Sequence, residues 1–115
     1  AAGLLEGRRA TTHWAYVPVL EKLGATYVAE RWVEDGKFIT AAGVSAGIDM
    51  ALRMVARLGG EEAAKRTQLE IEYAPEPPLG GLDWSLVDRA QAGEIRLARA
   101  REALAGDAEL LRRLA

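Results

Sequence analysis

The amino-acid sequence predicts an α/β fold, a layered sheet with helices packed on its faces. A β-rich segment at 8–13, a segment with helical spacing at 15–23 and a β-rich segment at 26–33 follow one another. This strand–helix–strand order is typical of α/β sheets. Asp35-Gly36 then predicts a tight hairpin turn into a further strand at 37–41. So few strands cannot complete a doubly wound sheet, so we expect this to be part of a larger domain.

The helices are predicted from apolar spacing and from their end signals. The segment 15–23 has Gly24 as its stop, with Pro18 in the first turn. A second helix is expected over 45–58, with an apolar stripe spaced at i, i+3, i+4 and i+7. That stripe consists of Ile48, Ala51, Leu52, Val55 and Leu58. A third helix is expected over 61–72, with acidic residues in its first turn.

A proline-rich segment divides the chain. Residues 75–78 read PEPP, which ends regular structure, and Gly80-Gly81 follows. Beyond it the composition is rich in Ala, Leu, Arg and Glu, and helices are predicted over 85–104 and 107–114. We therefore expect two regions, an α/β part at 1–79 and a helical C-terminal extension at 80–115. The first residues read as a helix end stopped by Gly7, so we expect polypeptide to precede Ala1.

The composition excludes several classes of function. The chain has 115 residues, with 15 basic and 17 acidic side chains and a net charge of −2. Without a basic patch we expect no nucleic-acid partner, and no apolar run reaches membrane-spanning length. Cysteine is absent, so these residues contain no disulfide, cysteine zinc ligand or cysteine nucleophile. One histidine without clustered carboxylates predicts no metal site, and the default compartment is the cytoplasm.

Two segments are candidates for a functional site. His13, the single histidine, is predicted at the carboxyl end of a strand, where open α/β sheets bind ligands. Residues 43–49, starting at Gly43, are predicted to form a bend into a helix, which offers backbone N–H groups to a polarised ligand. The alternatives are a histidine that only packs and a glycine turn that only connects. Ser45 is expected to cap the helix. Asp49 is expected in the first helical turn, where its negative charge interacts favourably with the helix dipole.

Three motifs carry a resemblance to a known family. They are RRATTHW at 8–14, ITAAGVSAGID at 39–49 and IEYAPEPP at 71–78. With them, residues 1–79 resemble the ThiJ/PfpI superfamily, which has a class I glutamine-amidotransferase-like, flavodoxin-type fold. The isonitrile-hydratase-like members are the most similar. The resemblance therefore implies the C-terminal part of a flavodoxin-like sheet with flanking helices.

The resemblance also implies a reaction and a set of site residues. Family members place a cysteine on a strand-to-helix turn, which here would lie upstream of Ala1, in the N-terminal half of the same domain. His13 would support that thiolate, and Thr12, Gly43, Val44 and Ser45 would line the pocket. The implied activity is hydration or hydrolysis of a small electrophilic substrate without a cofactor, by a homodimer.

Two other functions stay open at this point. Similar domains occur as effector-sensing parts of AraC-type regulators, which would need a helix-turn-helix unit after Pro78. The extension is short and carries mixed charges rather than a basic recognition helix. The other alternative is a non-catalytic subunit or half-domain that pairs with another chain to rebuild the sheet.

Overall fold

The computed structural model describes all 115 residues and has a mixed α/β architecture. The α/β class predicted from the sequence is confirmed. Short 3-10 turns lie at Trp14–Tyr16 and Trp84–Leu86. In chain order the strands and helices are β1 Arg9–Ala10, α1 Val17–Lys22, β2 Thr26–Tyr27, β3 Trp32–Asp35, β4 Phe38–Ala41, α2 Val44–Gly59, α3 Glu61–Glu70, α4 Arg89–Ala103 and α5 Ala108–Leu114.

The strands form two separate two-stranded sheets rather than one layer. β1 and β2 are parallel, with Arg9 opposite Thr26. β3 and β4 form the antiparallel hairpin that Asp35-Gly36 predicts, with Asp35 opposite Phe38. Gly36 has a φ of 60°, a value that residues other than glycine rarely adopt and that a tight hairpin turn requires.

Side chains, not a backbone ladder, join the hairpin to β1. The Arg9 N–H donates to Asp35 Oδ2 at 2.8 Å, and the Thr11 N–H donates to Thr40 Oγ1 at 2.9 Å. The predicted strands at 8–13 and 26–33 were therefore wrong in extent. The first is two residues long, and the second is divided between β2 and β3, because these two strands pair with different partners.

The helix ends follow local chemistry. Gly60, with a φ of 87°, separates α2 from α3. Asp88 begins α4 by accepting from the Gln91 N–H at 2.9 Å, so this helix starts later than the predicted residue 85. The third helix ends at Glu70 rather than at residue 72, since Glu72 has a φ of 49°. Asp107 caps α5, which agrees with the predicted boundary.

The buried core lies where the C-terminal helices meet the N-terminal segment. Leu97, Leu110 and Leu114 are buried, and α4 and α5 pack on α1. Hydrogen bonds join the same two segments. Lys22 Nζ donates to the Ala115 carbonyl at 2.7 Å, and Arg113 donates to the Leu23 carbonyl at 3.1 Å. The helical extension is thereby fastened to the α/β part.

Helix α2 has a different environment. It packs on the hairpin and on α3, and Ala46 is its one buried residue. Part of its apolar stripe stays exposed, with Leu58 83% and Ile48 37% accessible. None of the helices combines the length and apolar composition that crossing a bilayer requires.

Candidate functional site

His13 lies after β1, at the start of the 3-10 turn, and not at the end of a strand as predicted. Its Nδ1 accepts a hydrogen bond from the Ala15 N–H at 3.2 Å, so the imidazole caps that turn. When Nδ1 accepts, a neutral imidazole carries its proton on Nε2. The ring therefore has a structural bond on one nitrogen and a donor on the other.

The segment before His13 is held firmly. Thr11 is 3% exposed, its N–H donates to Thr40 and its Oγ1 donates to the Glu30 carbonyl at 3.0 Å. Thr12, a predicted pocket residue, is half-buried between Thr11 and His13. Because Thr40 lies in β4, these bonds bring His13 to the strand that leads into α2.

The His13 ring meets the beginning of α2. A Cβ atom placed on Gly43 would lie 3.9 Å from His13 Cδ2, an ordinary van der Waals distance, so the ring lies beside the helix start. Gly43 is the N-cap residue of α2, and it has no side chain that could accept from the first N–H groups of the helix. Its carbonyl accepts from the Gly47 N–H at 2.9 Å. The predicted capping role of Ser45 is wrong, because Ser45 lies inside the helix.

The first turn of α2 faces solvent. Val44 is 87% exposed and Ser45 is also exposed. The early N–H groups of a helix have no partner within it, and they carry the positive end of its dipole. The His13 imidazole and an uncapped helix start are therefore neighbours, an arrangement suited to a ligand that gains negative charge.

A polar cluster that the sequence did not predict lies beside this turn. Asp49 accepts from Tyr73 Oη at 2.6 Å through Oδ1 and from Arg31 Nε at 2.8 Å through Oδ2. Asp49 was expected to serve the helix dipole from the first turn, but it instead joins three segments. No periodicity signals such a cluster, since its members come from a loop, α2 and the chain after α3.

The cluster shifts two pKa values in opposite directions. The Tyr73 hydroxyl and the Arg31 guanidinium lower the pKa of Asp49 below its ordinary value, although partial burial opposes them. The Asp49 carboxylate raises the pKa of Tyr73, because phenolate would lose the hydrogen bond and face a like charge. Across the neutral pH range the cluster therefore consists of a carboxylate, a neutral phenol and a guanidinium.

Aromatic rings surround the other side of His13. The centroid of His13 lies 5.1 Å from that of Trp14 and 6.3 Å from that of Tyr16. Trp84 of the extension packs edge-on against Trp14 at 6.3 Å, and the Arg89 guanidinium lies over Trp84 at 4.8 Å. The extension thus contributes to the surroundings of the candidate site.

The rest of the surface offers no competing catalytic cluster. No group of three or more His, Asp or Glu side chains could hold a metal ion. Three surface cavities border α3, the exposed face of α2, and the hairpin, and none of the three is lined by His13 or Gly43. The pairing of His13 with the start of α2 is the arrangement that fits the sequence prediction.

Comparisons with known proteins identify relatives of this chain. The model of the DJ-1/PfpI family matches residues 1–57, which include both His13 and Gly43. Isonitrile hydratase of Pseudomonas putida is 48% identical over 103 residues, which cover 90% of this chain and 44% of that protein. The HTH-type transcriptional regulator CdhR of Pseudomonas aeruginosa is 38% identical over 65 residues, covering 55% of this chain and 19% of the regulator.

A solved structure of the same family resembles this chain in fold. The crystal structure of a THiJ/PfpI family protein from Pseudomonas syringae superimposes with a TM-score of 0.67 at 35% identity, covering 98% of this chain and 43% of that one. The two small sheets and five helices correspond to a part of that flavodoxin-like fold. The chain belongs to the DJ-1/PfpI (ThiJ/PfpI) family, and it spans less than half the length of the relatives it matches.

Proposed function

We propose that this chain supplies one wall of a site for cysteine-dependent hydration of a small electrophile, with an isonitrile as the favoured substrate. The single observation that carries the proposal is the position of the His13 ring beside the start of α2, 3.9 Å from where a Cβ atom of Gly43 would lie. The 48% identity to an isonitrile hydratase supports the choice of reaction. The nucleophile must come from other polypeptide, since these residues contain no cysteine.

The reaction adds the elements of water across the isonitrile carbon and nitrogen. A cysteine thiolate forms a bond to the isonitrile carbon, and that carbon takes up a proton to give a thioimidate. Water then adds across the carbon–nitrogen double bond, its oxygen to carbon and a proton to nitrogen. As the carbonyl forms, the hydroxyl proton is lost, the carbon–sulfur bond breaks, the thiolate is released and an N-formyl amine remains. Each addition places negative charge near the attacked group, where aligned donors lower the barrier.

The residues of this chain have separate parts in that scheme. His13 keeps Nδ1 on the Ala15 N–H and offers Nε2–H to the thiolate or the substrate. The backbone N–H groups of Val44 and Ser45 face the developing charge, and Thr12 borders the same space. Gly43 begins the helix beside His13, where a Cβ atom would lie 3.9 Å from His13 Cδ2.

The partners follow from the same proposal. The N-terminal half of the domain would carry the cysteine and complete the sheet beside β1 and β2. The exposed apolar residues of α2, such as Leu58, are available for that half or for the second subunit of a homodimer. We place the complete protein in the cytoplasm.

The test begins with the coding sequence upstream of Ala1, which we expect to encode a cysteine. The intact product is then assayed by NMR for conversion of an alkyl isonitrile to its formamide. His13→Ala should lower the rate about 100-fold, in the range of a lost proton-transfer or charge-stabilising group. It should also change the pH profile of cysteine alkylation. Glu62→Gln removes an exposed ion pair on α3 and serves as the matched control.

Two results would contradict this proposal. One is an intact product without a cysteine that faces His13. The other is an unchanged rate and alkylation profile in His13→Ala, which would leave the histidine with a capping role alone.

The second candidate function is effector sensing in a transcription regulator, favoured by the 65-residue similarity to CdhR. A regulator would bind its effector at the His13 site without turnover and would carry a DNA-binding unit elsewhere. The same assay separates the two, because a regulator would bind the isonitrile without forming the formamide.

A further inference from the structure

We propose that Asp49 is a positioning residue that fixes the first turn of α2 beside His13, with Arg31 and Tyr73 as its two partners. The proposal rests on the proposed function, in which the N–H groups of that turn face negative charge. Asp49 itself lies in the second turn of the helix and takes no part in bond making. Its effect would pass through Ser45 and the backbone around it.

Arg31 fastens the turn from the hairpin side. Its backbone carbonyl accepts from the Ala42 N–H at 2.9 Å, directly before Gly43. Its guanidinium bonds to Asp49 Oδ2 and lies 3.5 Å from Ser45 Oγ. Arg31 therefore bonds to residues on both sides of Gly43, to Ala42 before it and to Asp49 after it.

Tyr73 fastens the turn from the α3 side. Glu72 has a φ of 49°, a conformation that residues other than glycine rarely adopt, and it turns the chain back after α3. The Tyr73 N–H donates to the Gln68 carbonyl at 3.0 Å, and the Gln68 amide returns a bond to the Tyr73 carbonyl at 3.1 Å. The Tyr73 hydroxyl then donates to Asp49 Oδ1 and lies 3.4 Å from the Ser45 carbonyl.

The two partners use different oxygens of Asp49, so one carboxylate links the loop, α2 and the chain after α3. The Asp49 side chain is 27% exposed, which limits the competition from water. The raised pKa of Tyr73 agrees with a hydroxyl that stays protonated as a donor. Rare backbone geometry persists where its surroundings hold it, and it is often found near functional sites.

The same helix provides a matched control at its other end. Glu34 of β3 receives Arg53 at 3.4 Å and Arg57 at 2.9 Å, both in the later turns of α2. Glu34→Gln therefore removes ion pairs to α2 without touching Asp49 or Ser45. A general loosening of the helix would follow from either change, whereas displacement of the first turn should follow only from changes at Asp49 or Tyr73.

The structural test uses NMR on the intact protein, which includes the N-terminal half proposed above. In the parent chain we expect an NOE between the His13 ring and the Gly43 α-protons, as their approach requires. Tyr73→Phe, which removes only the hydroxyl, and Asp49→Asn should weaken this NOE and shift the amide signals of 43–46. Glu34→Gln should change neither. An unchanged NOE and unchanged amides in both test variants would overturn the proposal.

The functional test uses the intact protein. Tyr73→Phe and Asp49→Ala should each lower kcat about 10-fold or more with a small effect on KM, since a misplaced group costs transition-state stabilisation. The double variant should lose less than the product of the single losses, because both changes break one link. A loss confined to KM, or fully multiplicative losses, would overturn the positioning role. Absence of hydration by the parent protein would contradict the proposed function alone, because the NMR test involves no reaction.

Discussion

Gly93 lies where helix α4 crosses the first turn of α1. A Cβ atom there would come within 2.9 Å of Pro18 Cγ, so the absence of a side chain sets how closely the extension approaches. Gly47 of α2 is also a helical glycine, but a Cβ atom there would meet nothing within 4 Å. Two residues of the same type in the same kind of element thus have different reasons for being glycine.

This contrast gives a prediction at the residue scale. Gly47→Ala should raise the free energy of unfolding by about 1 kcal/mol, the difference in helix propensity. Gly93→Ala gains the same propensity but forces α4 away from Pro18, and overpacking costs about 1–3 kcal/mol. We therefore expect Gly93→Ala to be the less stable variant in urea unfolding. Equal stabilisation by both substitutions would contradict the close contact.

His13 shows why a single residue's role is hard to read from its neighbours in sequence. The motif at 8–14 suggested a strand end, but β1 stops at Ala10 and the histidine caps the following turn. Strand length depends on whether a partner strand continues, and here the N–H of Thr11 goes to a side chain of β4 instead. The position of His13 beside Gly43 depends on that tertiary bond.

At the element scale, local signals decided the helices better than the strands. Asp35-Gly36 and the cap at Asp107 act within a few residues, so the hairpin and α5 are close to their predicted positions. Helix α4 begins at Arg89 rather than at residue 85, because its cap is Asp88. β2 and β3 are separated although residues 26–33 read as one strand, because pairing is decided by distant partners.

The cap of α5 gives a prediction at this scale. Asp107 Oδ1 accepts from the Glu109 N–H at 3.1 Å and from the Leu110 N–H at 3.0 Å. Asp107→Ala should therefore lower the free energy of unfolding by about 1 kcal/mol. Asp107→Asn keeps an acceptor oxygen and should retain most of the stabilisation that the cap provides. Thermal unfolding followed by circular dichroism measures both. No loss in Asp107→Ala would show that the cap contributes little, and equal losses in the two variants would assign its effect to the carboxylate charge rather than to the acceptor oxygen.

At the scale of the whole molecule, the stable core is shared between the two predicted regions. Leu114 has no exposed surface although it is the penultimate residue, and Arg101 holds its carbonyl at 2.6 Å. Arg113 also pairs with Glu6 at 3.3 Å, so the two ends of the chain meet. The extension is therefore part of the same folded body as the segment that carries His13.

The corresponding prediction compares two leucines. Leu114→Ala should lower the free energy of unfolding by about 2–5 kcal/mol, because it opens a cavity in the core. Leu58→Ala, at a side chain that is 83% exposed, should change it by less than about 0.5 kcal/mol. Denaturant unfolding of the full chain measures both. A small effect at Leu114 would contradict the shared core.

The sequence by itself determined the α/β class, the hairpin, the bounds of α5 and the family motifs around His13 and Gly43. These depend on contacts within a few residues, or on motifs that can be recognised without knowing their surroundings. Only the tertiary structure decided that the His13 ring meets Gly43, that Asp49 joins Arg31 to Tyr73, and that Leu114 is buried. Those features depend on which distant segments come together, and hydrogen bonds between side chains and backbone leave no periodic trace in a sequence.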